Sequence, residues 1–460
     1  MSAEGSDQDT KVDDVEQQPL LAGGKGGSDV TKPSAKGAYS KVEVDKIRGF
    51  LGTAYMMAMG VCGVVLTAIG STLDQIAVNC GTTSTAIGTV FLARGAGAII
   101  GAVLSAKIYA PPTKGNMVMM YTMVALTVLL MYIPFIDNVA VLHFVFAGLG
   151  FCTAVTDTGC QIMTRKTQGV QAGPWLGANT VVFGIAGALV PLVDVITTDL
   201  LTMYSILSTI SVTTLVTLLA LPNPEDENVR RHLPPKVLKS NSGSRAVDPR
   251  IQKYFVTEFL IGNMVFWLIG GKVLCSSYIE DYVTQSGVIA SSKKEYALLV
   301  VWLFIALGRF GGLSDQIRIN RMGPIGIHTL YTHLTVWVVC GFFGGLVMWI
   351  WMSSSFAFWV SIVMYGFGNG PCVGYCYDLN NRLTVASEKG MSIVMFGLNF
   401  GASIVPYTAT LLWDDTAMSY SVMPVLLTIS MLFVLPFLYM TRPINDISAI
   451  ANAVSDTRKP

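Results

Sequence analysis

Twelve apolar stretches, each long enough to cross about 30 Å of hydrocarbon, constrain this chain more than any other feature. They run at roughly 50–76, 84–107, 116–136, 139–164, 175–196 and 200–221, and again at roughly 252–278, 296–317, 325–351, 356–380, 391–413 and 419–440. In lipid the backbone must satisfy its own hydrogen bonds, and runs of this length do so as helices rather than as barrel strands. With 52% hydrophobic and only 13% charged residues among 460, the chain has too little polar surface to cover a soluble globule. Its 45 glycines and 22 methionines suit close helix contacts in lipid. The expected fold is an all-α membrane protein of twelve transmembrane helices, six plus six.

Lysines and arginines near helix ends set the orientation, because positive residues are retained on the cytoplasmic side. An inside N-terminus puts Lys107, Lys114, Arg165, Lys166, Arg318, Arg321, Arg382 and Lys389 in short inner loops, and leaves Lys293 and Lys294 outside. Both termini then face the cytosol. Residues 1–46 are polar and poor in aromatics, and are expected to be a disordered cytosolic tail. Within that tail, DDVEQQPLLAG (13–23) places Glu16 ahead of Leu20 and Leu21. One carboxylate followed by two exposed leucines in an extended segment resembles the acidic dileucine signal that adaptor complexes read. Residues 47–221 form the first expected six-helix bundle, 222–250 a proline- and charge-rich cytosolic linker, 251–440 the second bundle, and 441–460 a cytosolic tail. The first apolar run begins near residue 50 and others follow it, so no cleavable signal peptide is expected.

Several function classes find no support. A net charge of +1, with no basic run interleaved with aromatics, argues against nucleic acid. Six of eight cysteines lie in apolar runs, where they act as small hydrophobes, and no metal or other cofactor is expected. GAGAIIG has dinucleotide-loop spacing, but no strand precedes it inside an apolar run, so it signals helix packing. No nucleophile stands with a base, and an enzyme is not expected.

The two halves repeat one another. GLGFCTAV (148–155) matches GFGNGPCV (366–373), and GALVP (187–191) matches ASIVP (402–406), at offsets of about 215 to 218; STLDQIAVNCG (71–81) lies over SYIEDYVTQSG (277–287) at 206. Parallel six-helix repeats of this kind place a substrate site near the midplane, between halves.

Together these features resemble the major facilitator superfamily, over residues 50 to 440. The family's loop signature, Gly-xxx-Asp-Arg/Lys, keeps Gly101 but has Ser105 and Ala106 in place of the charged pair; GGLSDQIR in the second half keeps Gly311, Asp315 and Arg318. The resemblance thus implies an inner gate charged in one half only, at Asp315 and Arg318. GLGFCTAVTDTGC followed by GPWLGANTVVFGIAGALVPLV is similar to helices four and five of the sodium-dependent glucose transporter-like branch, related to the fucose:proton symporters. In those relatives an acidic residue on helix four takes part in coupling, which here implies Asp157. An aspartate late in helix one implies Asp74.

The intramembrane polar residues lead the same way. Asp157 precedes Arg165 by eight residues, about 12 Å along a helix, so the carboxylate lies inside hydrocarbon. An ionised, unpaired carboxylate there costs at least about 2.5–3.5 kcal/mol. It must be protonated, paired or facing water, and each option ties its charge to its surroundings, as ion coupling requires. The competing reading is a structural hydrogen bond to a neighbouring helix. Arg94 falls roughly 15 Å into helix two and cannot deprotonate. It needs an acid, Asp157 or Asp74, in an exchangeable or else a permanent ion pair. Arg309, six residues before Asp315, is expected near the inner edge with the gate charges. Asp74 is expected at the outer mouth, where a solvated end residue competes with a coupling one.

On helix seven, Asn263 and Trp267 are four apart and share a face, an amide and an indole suited to a sugar's hydroxyls and C–H face; a packed core tryptophan is the rival. Asn369, Asn399, Gln161, Asn179 and Tyr375 are further pocket candidates. Lys272 needs a partner or must snorkel outward. The expected function is secondary active transport of a small polar solute, a monosaccharide first, by alternating access coupled to H⁺ or Na⁺. The alternative is a non-transporting nutrient sensor or an accessory subunit that stabilises a membrane partner. The dileucine resemblance implies an endolysosomal membrane, with the plasma membrane as the alternative.

Overall fold

The computed structural model describes residues 41–82, 87–110, 115–168, 172–197, 199–221, 254–322, 326–384, 387–412 and 419–456, and within them all side chains but those of 41–44, 74, 419 and 445–456. Glu16, Leu20, Leu21 and the 222–250 linker lie outside the described residues. Among the described residues, twelve helices are long and apolar enough to span a membrane. In chain order they are α1 Lys41–Asn79, α2 Val90–Ile108, α3 Gly115–Tyr132, α4 Val139–Gln168, α5 Ala172–Ile196 and α6 Leu200–Ala220. The second six are α7 Val256–Ser286, α8 Lys294–Arg321, α9 Gly326–Ile350, α10 Ser355–Leu383, α11 Glu388–Leu412 and α12 Val422–Asp456.

Local chemistry fixes several of their ends. Ser354 begins α10 by accepting from the Ala357 amide at 3.3 Å, and Asp199 begins α6 by accepting from that of Thr202 at 2.8 Å. Hydrogen bonds from the Thr202 hydroxyl and amide hold the Asp199 carboxyl below the usual carboxylate range. Gly287 stops α7 with a φ of 61°, a left-handed conformation that glycine adopts without a Cβ penalty.

Helix pairing follows one rule applied twice. In the first half α1 packs on α4, α5 and α6, α2 on α4, and α3 on α4 and α6; adding six to each number gives the pairs of the second half. Between the halves, α5 packs on α8 and α2 on α11, which the same shift exchanges. The twelve helices are therefore two six-helix pseudo-repeats.

Small residues bring the central helices close enough to present their side chains inward. A Cβ on Gly97 would overlap the Ala147 carbonyl, and one on Gly150 the carbonyl of Arg94, so α2 and α4 meet backbone to backbone. In the second half Gly308 faces the Phe367 carbonyl and Gly370 that of Ile305. Large apolar side chains such as Phe144, Tyr121, Val128, Phe310 and Phe356 point outward, as a lipid-facing surface requires.

Candidate functional site

A cavity lies between the two halves. Its walls come from α1 (Met59, Cys62, Leu66), α2 (Arg94), α4 (Thr153, Asp157) and α5 (Thr180, Phe183) on one side. On the other they come from α7 (Ile269), α8 (Arg309), α10 (Val373, Tyr377) and α11 (Leu398, Asn399). Its volume of about 40 Å³ has room for roughly three waters.

Asp157 is buried, and its Oδ1 accepts from Gln161 Nε2, one turn on, at 3.4 Å. Across the cavity Arg309 is held by backbone: its Nη1 donates to the Thr180 carbonyl at 2.5 Å and its Nε to that of Gly370 at 3.3 Å. Its guanidinium also sits 4.8 Å from the centre of the Phe183 ring. Asp157 and Arg309 each lie in the other's field. Arg94 is buried too, but its Nε has no partner. Among the described residues no ion pair joins Arg94 to Asp157 or to any other carboxylate. The expected Arg94–Asp157 pair is thus not formed here, although both groups face one space.

Arg309 lies deeper than the spacing to Asp315 predicts. Asp315 is not the helix end: α8 continues to Arg321, so Arg309 stands twelve residues from it, about 18 Å along the axis. Positions 94 and 309 are 215 apart, the spacing of the repeat itself. The two arginines are one position of the six-helix unit used twice, a signal that the matched segments already carried.

The remaining candidates divide. Asn399 lines the cavity, and Gln161 touches Asp157 from behind. Asn179 instead donates to Thr164 Oγ1 at 3.1 Å, and Asn369 to the Leu268 carbonyl at 3.0 Å. Tyr375 donates to Asp315 Oδ2 at 3.1 Å. Asn263 turns back on the Phe259 carbonyl, and Trp267 stacks on Phe433 of α12 with centroids 4.9 Å apart. This amide–indole pair does not line the cavity. The side chain of Asp74 lies outside the described residues.

The gate charges also differ in detail. Asp315 meets His333 Nδ1 at 2.8 Å and Tyr375 within the second half, and Arg318 is exposed. Among the described residues, the ion pair that joins the halves at this end is Lys166 with Glu388, at 3.6 Å. Beside it Arg165 is buried in the field of Tyr377, Glu258 and Asp378, all from the second half. Ser392 on α11 donates to the Ala102 carbonyl on α2 at 2.9 Å. On the far side of the cavity, the ring of Trp302 on α8 packs against Gly187 of α5.

The Major Facilitator Superfamily sequence model matches residues 50–406. The chain belongs to this superfamily. The facilitator fold is seen in solved structures of low sequence identity. The proton:xylose symporter XylE bound to 6-bromo-6-deoxy-D-glucose superposes with a TM-score of 0.68 at 11% identity, covering 86% of this chain and 96% of that one. The human organic anion transporter MFSD10 gives 0.58 at 12%, covering 84% and 99%. A mutant of the nucleoside transporter NupG gives 0.56 at 13%, covering 86% and 99%. At such identities the likeness is one of fold. No curated protein sequence matches this facilitator significantly.

Proposed function

We propose that this facilitator is a secondary active transporter that moves a small polar solute by alternating access of its two halves, 47–221 and 251–440, with proton or sodium coupling through Asp157. The observation that carries the reading is a buried cavity, lined from both halves, into which a carboxylate and two guanidiniums face. A carboxylate in that position changes charge only with a proton or a cation. That makes its neutralisation a natural trigger for rearrangement of the bundle around it.

Hydroxyl-bearing solutes suit the rest of the lining, since Thr153, Thr180, Tyr377 and Asn399 offer donors and acceptors. A monosaccharide-like solute gains support from the fold shared with a xylose symporter, while Asn263 and Trp267 no longer contribute to it. Purified full-length protein in liposomes should accumulate a labelled solute against its gradient when a proton or sodium gradient is imposed. Loss of the charged pair at Ser105 and Ala106 favours a second reading, a sensor or accessory subunit that stabilises a membrane partner. No uptake from a broad solute panel, together with a stable partner complex, would decide for that reading.

For location, we propose an endolysosomal membrane reached through adaptor recognition of Glu16, Leu20 and Leu21 in a cytosolic tail. Replacing both leucines by alanine should move the protein to the cell surface; an unchanged distribution rules the signal out.

A further inference from the structure

The charges around the cavity do not balance. Two guanidiniums face it, and neither can shed its proton. Among the described residues only one carboxylate, Asp157, lines it, so the lining is net positive whether that acid is ionised or protonated. Arg309 is answered by two carbonyls, an aromatic face and the field of Asp157. Arg94 is answered by none of these.

Among the described residues, no carboxylate forms an ion pair with Arg94. Asp378 is engaged by Arg382, Glu388 by Lys166, and Asp315 by His333 and Tyr375. Asp74 lies eight residues past the cavity-lining Leu66 on α1, about 12 Å along the helix. Lys272, wholly buried on α7 and without a partner, lies within the field of Arg309 and brings no negative charge. A buried guanidinium is costly unless something pairs with it, and among the described residues no carboxylate does so.

We infer that the solute admitted to the central cavity when the halves part carries a carboxylate, and that Arg94 is its anchor; the inference rests on the transporter reading and narrows it to hydroxy acids and sugar acids. A guanidinium presents parallel N–H donors that match the two oxygens of a carboxylate. Asn399, Thr153 and Thr180 remain for the hydroxyls. In this arrangement Asp157, opposite Arg309, takes the coupling ion, and Arg94 holds the solute.

Two matched pairs of probes test this: glycerate against glycerol, and glucuronate against glucose. Each is titrated into purified full-length protein while the unfolding temperature is read, with chloride as a spherical anion control. At least one acid should raise the unfolding temperature at a concentration on the order of tenfold or more below that needed of its neutral counterpart. Arg94→Gln should unfold at or above the wild-type temperature without ligand yet lose this preference, and Arg94→Lys should keep part of it. If Arg94→Gln does not fold, the wild-type comparison decides alone. A neutral probe acting as well as its acid, or chloride as well as either acid, overturns the inference. So does stabilisation by neither acid. In each of those cases uphill uptake in liposomes still judges the transporter reading separately.

Discussion

Arg94 and Arg309 show how one position of a repeated unit acquires two roles. Each projects from the second helix of its half toward the interface, because glycine contacts draw that helix against the fourth. Their surroundings then diverge: two carbonyls and Phe183 hold Arg309, while Arg94 keeps a free N–H beside Cys62 and Asn399. Lys272 presents a different case. Its depth in the sequence predicts a partner or a snorkelling side chain, yet it is 0% exposed and its Nζ has no hydrogen bond. An unpaired buried ammonium costs several kcal/mol, a cost that an apolar residue of similar shape does not carry. Lys272→Met should therefore unfold at or above the wild-type temperature and leave transport intact. A lower unfolding temperature would mean that the amine has a partner in the folded protein.

At the scale of elements, the twelve helices were legible because each is a run of apolar residues too long for anything else. The structure extends several beyond those runs: α1 starts at Lys41 and α7 reaches Ser286, since polar residues continue a helix past the hydrocarbon. What the sequence did not show is rotation. A helix that is apolar on most sides carries no strong periodicity to say which face looks inward. Trp267 therefore reads equally well as a sugar platform and as a packing residue, and the structure turns it to Phe433. Asp157 and Arg94 were legible for the opposite reason, since a charge in lipid must face the interior. Close crossings depend on glycine, which gives a prediction at this scale. Gly97→Leu, placed against the Ala147 carbonyl, should destabilise the protein by about 1–3 kcal/mol or more, read as a lower unfolding temperature in detergent. Gly311→Ala, where a Cβ meets nothing within 4 Å, should be neutral. Equal effects of the two would remove the argument for backbone contact.

For the whole molecule, the pseudo-symmetric pairing of helices suits the alternating access proposed for it. The contacts between halves lie at both ends of the cavity: Lys166 with Glu388 and the buried Arg165 on the basic side, Trp302 against Gly187 on the other. In the proposed cycle, rocking one half on the other would break one set while keeping the rest. The proposed coupling through Asp157 requires that ion binding and solute binding bias the same rocking equilibrium. The repeat was visible in matched segments of sequence, but which charges close which end was not, because ion pairs between halves depend on helices far apart in the chain.

If the charge state of Asp157 links an ion gradient to solute movement, one comparison reveals it. In liposomes holding wild type or Asp157→Asn, uphill uptake under an imposed ion gradient is measured beside solute exchange at equal concentrations across the membrane. Coupling through Asp157 predicts that the variant loses uphill uptake and keeps exchange. Undiminished uphill uptake in the variant would contradict it.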